Sequence, residues 1–182
     1  MAKAIPLDKL TLPDDLLRHS APATLVRLTE MLEFAPAIHD PGNITELHDM
    51  RIAAKRLRYT LEIFGPVLGK KARKIIKAVT EIQERLGVIH DADILMDLLT
   101  VTLKQEQKRE KKKVFKKHKE MPAHFAAEGL VALLAKKREE RDQKYHEFVA
   151  FWDALPPETF AASVARLVQL PEQDESEKKS SS

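Results

Sequence analysis

Residues 47–64 read LHDMRIAAKRLRYTLEIF, and the fold follows from how these letters space themselves. At about 100° per residue, Leu47, Met50, Ala54, Leu57, Leu61 and Phe64 recur at alternating intervals of three and four, the signature of an amphipathic helix with one core-facing seam. His48, Arg51, Lys55 and Arg58 repeat that rhythm one residue out of phase. Beyond them Ile52, Tyr59 and Ile63 make a second apolar strip, so the basic stripe is bordered by apolar residues on both sides. The position opposite the core falls to Asp49, Ala53, Arg56 and Thr60, which makes Arg56 the cation expected to face water. A stripe so placed is expected to line a groove, where cations need anions because unpaired buried charge is costly. Glu62 and its neighbours are too few to neutralise four cations. Carboxylates on adjacent helices and a bound polyanion both satisfy that requirement.

The same periodicity extends over the chain. Few β-branched alternating runs, five glycines and abundant Ala, Leu, Lys and Glu predict an all-α protein. A first helix is expected from about Ser20 or Pro22, carrying Leu25, Leu28, Leu32 and Phe34, with a turn at DPGN, residues 40–43. The helix containing the opening stretch is expected to be capped by Asn43 or Thr45 and stopped by Gly65-Pro66. A third is expected from about Lys70 to Leu86, burying Ile75, Ile76, Val79, Ile82 and Leu86, with Gly87 as its stop. A fourth then starts near Asp91, with Asp91 or Asp93 at its N-terminus, and carries Ile94, Leu95, Leu98 and Leu99. The lysine-rich run 104–119 prolongs it, Met121-Pro122 separates it from a last long helix over about Ala123–Leu155, and a short helix follows Pro156-Pro157. Short connections make such helices antiparallel neighbours. The expected architecture is an antiparallel bundle of four long helices with accessory ones.

In the last long helix Leu134, Arg138, Arg141, Tyr145, Phe148, Trp152 and Leu155 share one seam, so Arg138 and Arg141 are expected to enter the bundle or snorkel at its end. Lys70, Lys74, Lys77 and Arg85 lie opposite the core of the third helix, as solvated surface charge would.

Composition bounds the function. The 182 residues suit one domain, and the absence of cysteine excludes disulfides and thiolate metal sites. No leader or membrane-spanning stretch is read from the sequence, so a soluble cytoplasmic protein is expected. A net charge of +3 conceals segregation: residues 1–50 and 151–182 are acidic and 51–150 basic, a field that attracts polyanions. One Trp, two Tyr and seven Phe are poor material for base stacking. There is no Gly-rich phosphate loop, no HExxH and no Glu-x-x-His pair. The doublets His39-Asp40, His48-Asp49 and His90-Asp91 leave an HD-type metal phosphohydrolase as a minor alternative.

LHDMRIAAKRLRYTLEIF followed by IQERLGVIHDADIL resembles the CHAD family, the conserved-histidine α-helical domains. In that family's motif a His, an Arg and a basic cluster precede a Leu-Gly and an Asp-rich helix start, and the likeness covers about residues 47–99. REERDQKYHEFVAFW resembles the closing helix of such domains. The resemblance implies a helical bundle, here a single repeat over 21–170, between an N-terminal segment 1–20 and a disordered tail 171–182. It implies non-catalytic binding of inorganic polyphosphate, with no cofactor, and association with polyphosphate granules. By match to the motif, His48, Arg51, Lys55, Arg56 and Arg58 carry over as basic positions, with Lys77 and Arg141. Lys74 and Arg138 complete the candidate polyphosphate-binding set. Asp91 and Asp93 match the acidic positions, as helix caps or as partners that orient arginines. Family members commonly contain two related bundles, and a homodimer would supply the second here. A nucleic-acid binder and a granule scaffold are the alternatives from other functional classes.

Overall fold

The computed structural model describes residues 16–115 and 124–168. Among them every regular element is helical, so the protein is all-α: α1 Leu16–Leu32, a 3₁₀ turn Ala35–Ala37, α2 Ile44–Leu68, α3 Ala72–Phe115, α4 His124–Asp153 and α5 Pro157–Val168. No helix among the described residues is long and apolar enough to cross a membrane. The expected break at Met121-Pro122 and the tail 171–182 lie outside the described residues, as does most of the segment 1–20.

Each helix packs chiefly on its neighbour in sequence, and α5 folds back onto α1 and α3. One continuous core draws on all five: Leu28 and Met31 from α1, Met50, Leu57 and Leu61 from α2, Val79, Ile82, Leu86 and Ile89 from α3, Tyr145, Phe148 and Trp152 from α4, and Phe160 and Val164 from α5. Of the seam read over residues 47–64, Leu47, Met50, Ala54, Leu57 and Leu61 are buried and Phe64 is half-buried.

The largest departure from expectation is α3. Gly87 does not stop it, and the two helices expected over 70–86 and from Asp91 are a single 44-residue helix. Glycine costs about 1 kcal/mol relative to alanine inside a helix. That is less than the return from burying Ile75, Val79, Ile82, Leu86 and Ile89, which keep one face across Gly87. The third and fourth expected helices are therefore one, and α1, α2, α3 and α4 run for 17, 25, 44 and 30 residues beside the shorter α5. Asp91 and Asp93 lie mid-helix and cap nothing. Ile94 and Leu98, expected in a core, are 57% and 60% exposed.

Smaller departures have local reasons. Helix α2 passes through Gly65-Pro66 and ends at Leu68, where Gly69 takes φ +71° and ψ −162°, a positive-φ conformation open to glycine, and its N–H donates to the carbonyl of Gly65. Helix α1 starts a turn before Ser20 with Pro22 inside it, and it buries Ala23, Thr24, Leu28 and Met31 while Leu25 is exposed. The DPGN turn forms as expected: the Gly42 N–H donates to Asp40 Oδ1 and that of Asn43 to the Asp40 carbonyl. Asn43 stands at the N-cap position of α2, but its amide reaches back to the Ala37 carbonyl instead of capping.

Candidate functional site

Helices α2 and α3 form an antiparallel hairpin around Gly69, and its register is visible in two contacts. The rings of His48 and His90 stack with centroids 4.1 Å apart, tilted by 35°. One turn further on, Gly87 faces the side chain of Arg51, whose Cδ is 3.9 Å from where a Cβ on that glycine would stand. A bulkier residue there would crowd the arginine arm.

His48, Arg51, Lys55 and Arg58 are all half-buried along this junction. Lys55 Nζ lies 5.7 Å and the Arg58 guanidinium carbon 4.9 Å from the centre of the Tyr59 ring, so an aromatic face holds both cations beside each other. Arg58 has a carboxylate neighbour, Glu62, at 3.5 Å. Among the described residues neither Arg51 nor Lys55 forms an ion pair. Buried polar atoms without a hydrogen-bond partner gather here too: His48 Nδ1, Arg51 Nε and Gln83 Oε1. Each such atom costs about 1–3 kcal/mol. The junction is thus poorly satisfied as a piece of structure: Arg51 Nε is a donor open to an anion, whereas Gln83 Oε1 is an acceptor and asks for a donor of its own.

Burial, the neighbouring imidazole of His90 and the positive charge of Arg51, in that order, push the pKa of His48 below its ordinary value, while Asp49 pulls the other way. These influences favour the neutral imidazole, and an arriving anion would favour the protonated form.

The expected groove is open on one side. Ile52 is half-buried, but Tyr59 and Ile63 are 45% and 67% exposed, so the stripe runs along a ledge whose inner wall is α3. The face expected to meet water is instead covered: Ala53 is fully buried and Asp49 nearly so, because α2 is sandwiched between α1 and α3. Arg56, expected to be solvated, is half-buried on that covered side.

The remaining candidates do not join the stripe. Lys74 and Lys77 are exposed on α3. Lys74, with Lys71 and Arg166, rims a separate cleft of about 410 Å³ floored by Ile75, Phe160 and Leu167. Arg138 is exposed on α4 rather than in its seam. Arg141 does occupy the seam, but its guanidinium is already engaged: Nε donates to Asp93 Oδ1 at 2.9 Å and a terminal nitrogen to the Pro41 carbonyl at 2.9 Å, with the Tyr145 ring beneath. With both partners of the ion pair buried, Arg141 is a structural clamp between α3, α4 and the loop before α2 and presents no face to a ligand. Of the two roles expected for Asp93, orienting an arginine is the one it performs. Tyr145 reinforces the clamp, donating its hydroxyl to the Ile38 carbonyl at 2.8 Å.

The HD doublets do not converge. His39 pairs with Asp153 at 2.9 Å on the surface, and among the described residues no three His, Asp or Glu side chains gather as a metal-binding group. His90, Gly87 and Gln83 are the members of the junction that sequence reasoning left out. A signal existed, since His48 and His90 are equidistant from Gly69 and a hairpin folded there brings them together.

No curated protein and no solved structure matches the chain. The family model of the CHAD domain matches residues 6–100, more than half of the 182, and the chain belongs to that family.

Proposed function

We propose that this protein binds inorganic polyphosphate, without catalysing its turnover, along the His48–Arg51–Lys55–Arg58 stripe at the α2–α3 junction. The observation that carries the reading is that Arg51 and Lys55 have no carboxylate partner among the described residues although both are half-buried. Membership of the CHAD family, associated with polyphosphate, supports it. Arginine offers planar, often bidentate donors to phosphate oxygens and lysine a compact charge. A linear polyanion matches cations repeating along one helix edge, and the open side at Tyr59 and Ile63 lets a long chain enter and leave without threading. The ledge also carries the one ring, Tyr59, that braces two of the cations.

The test is binding of fluorescently labelled polyphosphate of defined length to the wild type and to Arg51→Glu/Arg58→Glu, with helicity checked by circular dichroism. The double charge reversal is expected to weaken binding at least 100-fold, and wild-type affinity is expected to fall steeply with salt as counterions are released. Retained affinity in a folded variant refutes the site. Displacement of polyphosphate by duplex DNA at equal charge concentration would instead make this a general polyanion ledge.

A further inference from the structure

The α2-facing side of α3 does not end where α2 ends. Gln83, Gly87 and His90 lie on that side, and at helical spacing Ile94, Leu98 and Val101 continue it. The register set by His48–His90 and Arg51–Gly87 brings Ile44, the first residue of α2, level with Ile94. Beyond that level α3 has lost its neighbour. Ile94, Leu98 and Val101 are 57%, 60% and 51% exposed, and Ile44 at the edge is 46% exposed. The Arg141–Asp93 contact sets the register of α3 against α4. It places Val131, also exposed, on the same side of the projecting α3–α4 hairpin. Together these five side chains present on the order of 400 Å² of apolar surface, within the range of the largest patch on a typical monomer and about half of what one partner contributes to a standard interface.

From this we infer that the α3–α4 hairpin beyond Ile94 is the self-association surface of the protein, covered by the same hairpin of a second copy around a two-fold axis parallel to its helices. That operation lays α3 of one protomer over α4 of its partner at the same level. The charges on the rim match it. Asp97 on α3 is level with Arg138 on α4, and both are exposed, so each α3 meets opposite charge on the α4 laid over it. Two hairpins stacked in this way form a four-helix arrangement in which Leu98 and Val101 become core. The assignment also gives exposed Arg138, which the α4 seam does not take in, a place beside Asp97. It stands independently of what the basic ledge binds.

Sedimentation equilibrium of the full chain across about 1–100 µM tests it. The wild type is expected to be a monomer–dimer system. Leu98→Glu is expected to raise the dimer dissociation constant at least tenfold with unchanged helicity, since a side chain 60% exposed removes little from the fold when changed. Asp97→Arg is expected to weaken the dimer and Asp97→Arg/Arg138→Asp to restore it. A wild type that stays monomeric at 100 µM overturns the inference. So does a dimer indifferent to Leu98→Glu, or a charge swap that fails to recover association.

Discussion

Replacing Asp93 by alanine separates the two kinds of arginine in this protein. Asp93 and Arg141 have side chains 7% and 5% exposed and meet at 2.9 Å. Removing the carboxylate leaves a guanidinium that keeps the Pro41 carbonyl and the Tyr145 face but loses its counter-charge, since Asp142 stands at 3.7 Å with a side chain 55% exposed and screened. Breaking a buried pair in this way costs about 3–5 kcal/mol, and the two surviving contacts place the expectation at the lower end, about 3 kcal/mol. At about 2–4 °C per kcal/mol for a chain of this size, the midpoint of thermal unfolding should fall by roughly 6–12 °C. Removing both partners, as Asp93→Ala/Arg141→Met, should cost far less than the sum of the single changes, because no buried charge remains and the exposed Pro41 carbonyl can turn to water. Arg51→Ala should cost under about 1 kcal/mol, since the lost packing is offset by removal of an unsatisfied buried donor. Urea unfolding followed at 222 nm gives all four values. A loss below about 1 kcal/mol for Asp93→Ala, or one for Arg51→Ala of equal size, would refute the division of the arginines into clamp and binder.

Further outcomes follow from the junction. Gly87→Ala should stabilise the protein by about 0.5–1 kcal/mol in urea melts, since the new methyl meets Arg51 only at ordinary contact distance and glycine is unfavourable inside a helix. Gly87→Leu, reaching into the path of the Arg51 arm, should weaken binding of the fluorescently labelled polyphosphate. His48 has a folded pKa below its unfolded value of about 6.5, so the unfolded chain takes up the proton first. The stability it contributes is complete above about pH 7 and declines as pH falls through 6.5, at up to about 1.4 kcal/mol per pH unit. A His48→Gln variant whose urea midpoint declines as steeply between pH 7.5 and 5.5 would contradict this. Polyphosphate should bind more tightly over the same descent, with proton uptake visible by calorimetry in buffers of different ionisation enthalpy.

What sequence made legible is what a single helix decides for itself. The seam from Leu47 to Leu61 and the phase of the His48–Arg58 stripe depend only on the angle per residue, and both are present in the structure. What it left illegible depends on neighbours. A helical wheel does not say that α2 has one helix on each side, and so it placed Ala53 and Arg56 in water. Gly87 carries a stop signal and a spacing signal at once: the stop is a local preference of about 1 kcal/mol, and the buried face that runs through it outweighs that preference. Arg141 was placed correctly in its seam, yet its role could not be read, because Asp93 sits 48 residues away.

The acidic residues explain why the ledge stays positive. Asp91 and Asp93 follow His90 in sequence, close to where the stripe begins, and either would quench it if turned toward α2. Their helical angles prevent this. Asp93 points into the α3–α4 junction and neutralises Arg141, while Asp91 is exposed on the outer side of α3. Had Gly87 ended the helix, the following residues would have been free to reorient and an aspartate could have capped the next helix beside His48. Continuity of α3 through Gly87 therefore does two things: it keeps Gly87 against the Arg51 side chain, and it holds Asp91 and Asp93 away from the stripe. The same continuity carries α3 past the end of α2 and bares Leu98 and Val101, so the two proposed surfaces, the anion ledge and the self-association face, are consequences of one uninterrupted helix.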